Sequence, residues 1–379
     1  MAKALAARFT RSRFFTGFVC GAAAGAAASG LAALSLLRNH HHPPQTQQSP
    51  AAADLKEREE EEEREEPVPV SLLEKYGFPA AGTQTRYYTN HALSYDQTKR
   101  IPKWVIEHIS KHKTLGNADR KHCKFRPDPN ISPVFSAMNE DYIRSGWSRG
   151  HMAPAGDNKY SPKAMAETFY LSNIVPQNYE NNAGFWNRVE MYCRELTERF
   201  EDVWIVSGPL ILPQMEEDGK KRVTYQVIGK DEVAVPSHLY KVILARRSEA
   251  STEPLALGAF VVPNNPIGFD HQLLEFQVSL EALERMSGLV FFPLVNKSKD
   301  VRDICEVDTC KLMDLEEFTL YISARKLQNA RTLEKLEKIM SDLQRKGIKP
   351  DEYFLKVYEK KKEELATQES DETRERRAG

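Results

Sequence analysis

The chain has 379 residues, enough for one large domain or two ordinary ones with a substantial core. Its formal net charge is −1, and that charge is unevenly distributed. Residues 1–53 carry five basic side chains and no acidic one, residues 54–66 carry a local charge of −6, and residues 67–379 are close to neutral. This balance excludes a broadly basic surface, so affinity for a polyanion has to come from local patches or from a metal ion.

The five cysteines are an odd number, with no Cys-X-X-Cys spacing and no histidine at zinc-site spacing. This pattern argues against a disulfide framework and favours a reducing or mildly oxidising interior compartment. Cys305 and Cys310 are close enough in sequence for a local bridge, but reduced thiols are the interpretation that the sequence favours.

Residues 1–38 form a leader. Residues 14–37 contain no charge and are long enough to span a hydrocarbon core of about 30 Å, although they are mostly Ala and Gly. The basic, acid-free start is typical of a mitochondrial presequence. A cleaved presequence, a retained single-span anchor and a secretory signal all fit; we favour mitochondrial targeting, with the leader attached to the inner membrane.

Residues 39–70 combine a His triplet, Pro, Gln and Ser with an acidic run. Such a segment cannot bury enough apolar surface to fold, and we expect a disordered linker.

Residues 71–312 have a globular pattern. Short β-rich runs and two helical stretches alternate, which favours an α+β fold built around a sheet. The expected strands are residues 203–206, 225–228, 238–244 and 257–262, and the expected helices are residues 163–170 and 183–200.

Residues 313–366 are highly charged, with Leu and Ile three to four residues apart. This pattern predicts helices over residues 315–343 and 351–366, separated by a Gly-Ile-Lys-Pro stop signal at residues 347–350. We expect a small helical appendage on the main domain, followed by a disordered tail over residues 367–379.

One candidate catalytic motif is Ser-Arg-Gly-His-Met-Ala-Pro at residues 148–154. Gly before the histidine and Pro shortly after it favour a loop-rich segment that exposes His151 at a strand-to-helix junction. A single histidine in a loop is more often structural than catalytic. An imidazole with a pKa near 6.5 nevertheless has the proton affinity that a general base needs near neutral pH.

A second motif lies in residues 171–190, which are rich in Asn just before the amphipathic helix. Asn181 and Asn182 would serve either as N-cap residues or as ligands, because an Asn oxygen suits Mg²⁺, which takes few protein ligands. Glu190 follows Asn182 by about two helical turns, so its carboxylate can support the same metal site.

Together these segments resemble the DNA/RNA non-specific endonucleases, a ββα-metal family. Residues 148–154 are similar to its Asp-Arg-Gly-His signature, and residues 169–177 and 181–190 are similar to its metal-binding segment. The resemblance covers roughly residues 75–300 and is closest to the endonuclease G branch. Ser148, Met152 and the helical C-terminal extension resemble the mitochondrial exo/endonuclease G-like 5′ exonucleases.

The resemblance implies a ββα-metal nuclease core around an antiparallel sheet. It implies that His151 activates water and that Asn182 is the one direct protein ligand of Mg²⁺, for which Mn²⁺ would substitute. Glu190 would support the metal indirectly, Arg120 would contact the scissile phosphate, and Arg149 would hold that phosphate or the loop. The resemblance also implies a homodimer that acts on DNA and RNA, with a role in mitochondrial DNA repair or processing.

Further substrate contacts are expected from Lys159 and from the helical appendage. Phe318 and Arg325 belong to an aromatic and basic set at helical spacing, and an aromatic ring there would stack on a terminal base. Core contacts between the helix and the main domain are the alternative, and the resemblance favours DNA contact for these two residues.

Two positions depart from the family pattern. Ser148 stands where most members have Asp, and a neutral residue should alter support of the motif loop. Asp157 stands where a neutral Asn is expected, and its carboxylate would repel phosphate or compete for the metal.

Three hypotheses follow from the sequence. The first and favoured one is a metal-dependent nuclease that does not read base sequence. The second is a nucleic-acid-binding homologue silenced at a position such as Asp157. The third is a membrane-tethered scaffold that recruits a partner through its C-terminal helices.

Overall fold

A computed structural model describes the backbone of residues 84–378 and the side chains of residues 84–368. The predicted leader of residues 1–38 and the predicted linker of residues 39–70 lie outside the described residues. Within residues 84–378, none of the helices combines the length and the apolar character that a membrane span requires.

The strands and helices alternate along the chain. The strands are β1 (Thr85–Tyr87), β2 (His91–Asp96), β3 (Ile101–Ile109), β4 (Ser148–His151), β5 (Ile174–Gln177), β6 (Asp202–Leu210), β7 (Gln214–Met215), β8 (Lys221–Arg222), β9 (Val227–Ile228), β10 (Val233–Ala234), β11 (His238–Arg246), β12 (Leu255–Pro263), β13 (Gln277–Val278) and β14 (Val301–Asp303). The helices are α1 (Lys111–Thr114), α2 (Asn139–Tyr142), α3 (Pro162–Glu167), α4 (Tyr179–Ala183), α5 (Phe185–Leu196), α6 (Leu280–Ser287), α7 (Ile304–Val307), α8 (Leu315–Gln328), α9 (Leu333–Arg345) and α10 (Glu352–Ala378). Mixed strands and helices confirm the predicted α+β class.

The main sheet has the strand order β1-β2-β3-β6-β11-β12-β13, and each neighbouring pair is antiparallel. β14 pairs with β12 in parallel. The chain between the neighbours β3 and β6, residues 110–201, forms an insertion that contains the antiparallel hairpin β4–β5 and then the helices α4 and α5. Two strands followed by a helix therefore stand on one side of a larger sheet.

Apolar side chains cover both faces of the main sheet. Ile205 packs in one cluster with Trp186 of α5, whereas its neighbour Val206 packs in another cluster with Leu283 of α6. Successive residues of a strand point to opposite faces, so both layers bury apolar surface against the same strands. The buried face of α5 fixes that helix on the sheet.

The predicted helix over residues 183–200 is α5 in the structure, which begins at Phe185 and ends at Leu196, and the separate short helix α4 precedes it. α4 ends at Gly184, whose N–H donates to Glu180 O at 2.8 Å. A Cβ at this position would lie 2.7 Å from the same oxygen, so glycine permits the close approach and the change of direction. The predicted strand over residues 225–228 and helix over residues 163–170 are also shorter in the structure, as β9 and α3.

The three C-terminal helices α8, α9 and α10, called the C-terminal helical unit below, pack around their own cluster. Its buried members include Leu327, Leu336, Leu343 and Phe354. The predicted helix over residues 315–343 is divided, because Thr332 begins α9 as an N-cap that accepts from Lys335 N.

The backbone of α10 continues to Ala378. It thus extends through most of residues 367–379, for which the sequence predicts a disordered tail. Residues 367–378 contain neither Gly nor Pro, and extending an existing helix costs far less than starting one.

Cys305 and Cys310 form a disulfide, so the favoured prediction of reduced thiols is wrong for this pair. The chain turns back after α7 and brings the two Cα atoms to 5.0 Å, within the span that a disulfide requires. Cys123 and Cys193 are free. The bridge lies in the segment that connects β14 of the main sheet to α8.

Candidate active site

The hairpin β4–β5 places His151 at the end of its first strand. Ser148 pairs with Gln177 and His151 with Ile174 in its register. A Cβ at Gly150 would lie 2.1 Å from the Gln177 side-chain oxygen, so only glycine lets the two strands close with Gln177 between them. The Arg-Gly-His sequence is therefore the local requirement for presenting the histidine.

The His151 ring lies among aromatic side chains. Its centroid is 5.3 Å from that of Phe125 and 4.9 Å from that of Phe169. Burial, and secondarily the charge of Arg120, lowers the pKa of His151 to about 3. The imidazole is consequently neutral at every pH well above that value, and the negative charge of a phosphate bound nearby would raise this pKa and with it the affinity of the ring for a proton. Its buried Nε2 has no hydrogen-bond partner among the described residues, which is unusual for a buried polar atom.

Three asparagines of the second motif have different roles. Asn178 is the N-cap of α4 and accepts from Asn181 N at 3.0 Å. The Asn181 side chain is buried and donates to Pro263 O at 3.0 Å and Asn265 O at 2.9 Å. Neither residue lines the cavity described below, whereas Asn182 does. The N-cap role that the sequence suggested for Asn181 or Asn182 therefore belongs to neither of them, because Asn178 caps α4.

Ser148 orients the Asn182 amide. Asn182 Nδ2 donates to Ser148 Oγ at 3.1 Å, and Ser148 Oγ donates in turn to Gln177 O at 2.8 Å. With its NH₂ group held in this way, Asn182 keeps Oδ1 as an acceptor without a donor in the described part of the chain. Ser148, at the position where the resemblance leads us to expect Asp, thus connects the hairpin to α4.

One face of α5 lines the same cavity as Asn182. Asn187, Glu190 and Arg194 recur at intervals of three and four residues and line one cavity. Burial raises the pKa of Glu190 to about 7, partly offset by the charges of Lys241 and Arg194. The protonated carboxyl is therefore accessible near pH 7, and a nearby cation would favour the carboxylate.

Asp157 does not face the cavity, which corrects the expectation that it would repel phosphate or compete for a metal. Its side chain is 1% exposed, and Oδ1 accepts from Arg194 at 2.6 Å. Burial raises the pKa of Asp157, and the Arg194 charge opposes this rise. Sequence reasoning missed Arg194, although its position four residues after Glu190 was a usable signal.

The catalytic cavity, with a volume of about 770 Å³, brings most of the predicted site residues together. Arg149 donates to Asn139 Oδ1 at 3.0 Å, and its guanidinium lies 4.9 Å from the Phe125 ring centroid, so this side chain holds the motif loop. The predicted residues that line the cavity are Arg120, Arg149, His151, Lys159, Asn182, Glu190 and Arg325.

Phe318 is the one predicted site residue that does not line this cavity. Its ring packs against Phe269 at a centroid distance of 5.4 Å. The contact joins α8 to the main domain, which agrees with the alternative of a core contact.

The donor set fits a hard divalent cation. Asn182 offers a neutral oxygen, and Glu190 can supply a charge to water around the ion. The described residues contain no cluster of three or more His, Cys, Asp or Glu side chains arranged to enclose a metal. Few protein ligands and many retained waters are the coordination that Mg²⁺ prefers.

Comparison with known proteins identifies two matching family models. Residues 70–298 match the model described as DNA/RNA non-specific endonuclease, and residues 313–361 match the Endo/exonuclease (EXOG) C-terminal domain.

Similar proteins are named as mitochondrial nucleases. The chain is 63% identical to human "Nuclease EXOG, mitochondrial" over 372 residues, which covers 98% of each chain. It is 42% identical to human "Endonuclease G, mitochondrial", covering 58% of this chain and 73% of that protein. Among solved structures, an EndoG from a complex with EndoGI is similar with a TM-score of 0.56 and 40% identity, covering 63% of this chain and 98% of that one.

Proposed function

This chain belongs to the DNA/RNA non-specific endonuclease family, and on that premise we propose that it uses Mg²⁺, with His151 as general base and Asn182 as the direct metal ligand. It is a nuclease, a hydrolase of phosphodiester bonds, from a family that depends on metal ions. The observation that supports the residue roles is that His151 and Asn182 line one cavity, where the imidazole has an unpartnered nitrogen and Ser148 orients the Asn182 amide.

The protein groups divide the work of hydrolysis. His151 Nε2 takes a proton from the attacking water, and neutrality at working pH leaves this atom available. Arg120 presents a planar, permanently charged fork to the scissile phosphate. Glu190 orients water near Asn182. A hard cation held at Asn182, when bound, supplies stabilisation of the charge that grows on the phosphoryl and leaving oxygens.

We extend the proposal to both DNA and RNA as substrates. Arg120, His151, Asn182 and Glu190 act on the phosphate and the water, and none of these roles requires contact with a base edge. Backbone contacts carry no direct sequence information, so cleavage should depend little on base sequence. Mn²⁺ should replace Mg²⁺, because it accepts the same oxygen ligands.

A digestion assay tests this function. Single-stranded and duplex DNA and RNA would be incubated with the purified protein in Mg²⁺, in Mn²⁺ or in EDTA. We expect cleavage with either metal, none in EDTA, and a loss of about a hundredfold or more for His151→Ala. His271→Ala is the matched control, since His271 is a half-exposed surface histidine paired with Glu275. Equal rates for His151→Ala and the parent protein would refute the assignment of the base.

The mode of cleavage is a finer proposal: endonuclease and 5′ exonuclease activity in mitochondrial DNA repair or processing. Arg325 of the C-terminal helical unit lines the catalytic cavity, and a wall on this side would favour strands that enter by an end. End-labelled duplex and flap substrates would show which end is released first. Release from the 3′ end alone would exclude the 5′ polarity.

We also propose a mitochondrial location, attachment to the inner membrane through residues 1–38, and a homodimer. The basic start, the charge-free stretch of residues 14–37 and the mitochondrial names of the relatives support the first two points. Import of a reporter fused to residues 1–70, followed by carbonate extraction, would test them. Light scattering would test the dimer, since one chain has a mass of 43.2 kDa.

The two alternative functions are not favoured. The hypothesis of a silenced homologue rested on Asp157, and the structure buries this residue against Arg194. A scaffold predicts that deletion of residues 316–379 abolishes function while His151→Ala does not, and the digestion assay separates these outcomes.

A further inference from the structure

A second cleft adjoins the catalytic cavity on the side of the C-terminal helical unit. This outer cleft has a volume of about 570 Å³ and shares Asp119, Arg120, Arg325, Gln328 and Asn329 with the catalytic cavity. The shared side chains form a rim between the two spaces. A strand whose phosphate lies at Arg120 therefore has a continuous path into the outer cleft.

The outer cleft is rich in cations. Beyond the rim it is lined by Lys121, Arg331 and Lys361. Lys121 is paired with Asp119 at 2.8 Å and Lys361 with Glu364 at 3.1 Å. Arg331 has no carboxylate within ion-pair distance among residues 84–368, and the same holds for the two rim arginines. Three uncompensated guanidinium groups thus border one concave surface.

The lining also indicates which part of a nucleotide it suits. The catalytic cavity contains the aromatic side chains of Phe125, Tyr142 and Trp147, whereas no aromatic residue lines the outer cleft. Bases in single strands bind proteins largely by stacking on aromatic rings, and phosphates bind to Arg forks. The outer cleft therefore fits the backbone and offers no stacking platform.

We propose that the outer cleft binds a backbone phosphate of the substrate strand beyond the bond that is cut, with Arg331 as its main contact and Lys361 as a second. This inference rests on the proposed nuclease function and adds a subsite outside the catalytic cavity. Binding there extends the contact between protein and strand past the reacting phosphate, and it does so for any base sequence.

The test measures binding without cleavage. The full-length protein carrying His151→Ala would be titrated in EDTA against single-stranded DNA with a 3′ fluorophore, by anisotropy, at several salt concentrations. The slope of log K against log salt is negative, and each lost phosphate contact reduces its magnitude by about 0.7 for single strands. The double variant Arg331→Ala/Lys361→Ala should therefore reduce the magnitude of the slope by about 1.4.

The matched control is Lys326→Ala/Arg345→Ala. It also removes one Lys and one Arg from the C-terminal helical unit, and neither residue lines a cavity named above. The proposal predicts a reduced slope for the cleft variant and an unchanged slope for the control. Equal slopes in the two variants would overturn it, whether both fall or neither does. Thermal melts of both variants would verify that they fold.

Substrates that differ in length and in the 5′ end identify which phosphate the outer cleft binds. Oligonucleotides of increasing length would carry either a 5′-phosphate or a 5′-hydroxyl. If the effect of the cleft variant requires the 5′-phosphate, the cleft binds a strand terminus; if the effect grows with length for both ends, it binds an internal phosphate. Either result supports a phosphate subsite. If the cleft variant binds every substrate as the parent protein does, the proposal is contradicted.

Cleavage kinetics keep this inference separate from the function on which it rests. With His151 intact, the cleft variant should raise KM and leave kcat unchanged, because the subsite does not touch the reacting atoms. If the parent protein cleaves nucleic acid and the cleft variant matches it in slope and KM, the subsite fails alone. If the parent cleaves nothing in Mg²⁺ or Mn²⁺, the nuclease proposal fails, whatever the binding slopes show.

Discussion

The hairpin–helix insertion of residues 148–196 and the C-terminal helical unit both contribute polar side chains to one cavity, but they hold them differently. In the insertion, Asn182 is held by Ser148, and Arg194 by Asp157. In the C-terminal helical unit, Arg325 and Arg331 are exposed and have no ion-pair partner in the described structure.

This difference reflects two physical requirements. Activating a water molecule needs donor and acceptor atoms fixed to within a fraction of an ångström, which hydrogen bonds and burial provide. Attracting a polyanion needs only charge at the right place, and exposed arginines provide that. The insertion should therefore be sensitive to conservative substitutions, and the C-terminal helical unit mainly to the loss of charge.

The largest expected effect concerns the metal ligand. Asn182→Ala should lower the cleavage rate by roughly a hundredfold or more, because loss of an outer-shell partner already costs 10- to 100-fold and this residue is the proposed direct ligand. Asn187→Ala, which changes another cavity asparagine, should stay within a few-fold. Initial rates over a Mg²⁺ titration would measure both variants, and similar losses would mean that the ligand was assigned to the wrong asparagine.

The next effect concerns the buried ion pair. Asp157→Asn should lower the free energy of unfolding by about 3 kcal/mol, since it leaves the Arg194 charge without its partner in a largely buried position. Activity should fall rather than rise, whereas the hypothesis of a homologue silenced at Asp157 predicts a rise. Urea unfolding would measure the change, and Asp218→Asn, at an exposed pair with Arg222, should change the free energy by less than about 1 kcal/mol.

The loss of stability at acidic pH should arise in the nuclease domain. His91 is buried, neither ring nitrogen has a partner among the described residues, and burial lowers its pKa to about 4. The unfolded chain, with a pKa near 6.5, binds more protons in this window, so the free energy of unfolding should fall by about 2 to 3 kcal/mol between pH 7 and 4.5.

His91→Phe tests this pH dependence. The substitution should remove that part of the decline while keeping the stack on Tyr88, whose ring centroid is 4.5 Å from that of His91. Urea titrations at the two pH values would compare the variant with the parent protein, and an identical decline in both would exclude His91 as the source. Residues 313–379 contain no histidine and should contribute nothing of this kind.

The smallest effect concerns the connection between the two regions. Replacing both Cys305 and Cys310 by Ser should lower the free energy of unfolding by about 2 kcal/mol, as expected for a bridge that closes a short loop. Dithiothreitol should destabilise the parent protein similarly and leave the double variant unchanged. Cys123→Ser, at a free thiol, is the control, and an equal effect there would remove the bridge as the cause.

The sequence determined the fold class, the family and the chemistry of the individual side chains. His151, Asn182 and Glu190 were recognisable because the motif surrounds them with residues that a hairpin and a helix need locally, as Gly150 against Gln177 demonstrates. Arg325 was also predicted, and it lines the cavity. The sequence predicted strands that match β6, β9, β11 and β12 and helices that overlap α3, α5, α8, α9 and α10, while ends such as the break at Gly184 depended on contacts that periodicity does not encode.

Only the tertiary structure decided which polar groups face the cavity. Asp157 and Arg194 are 37 residues apart and neutralise each other in a buried pair, so the charge that looked harmful in sequence is compensated. Phe318 packs on Phe269, although its helical spacing from Arg325 suggested that both residues face the substrate. Cys305 forms a disulfide with Cys310 because the chain reverses after α7. Residue type and spacing set what a side chain can do, whereas its partners, and therefore its charge and exposure, come from long-range packing.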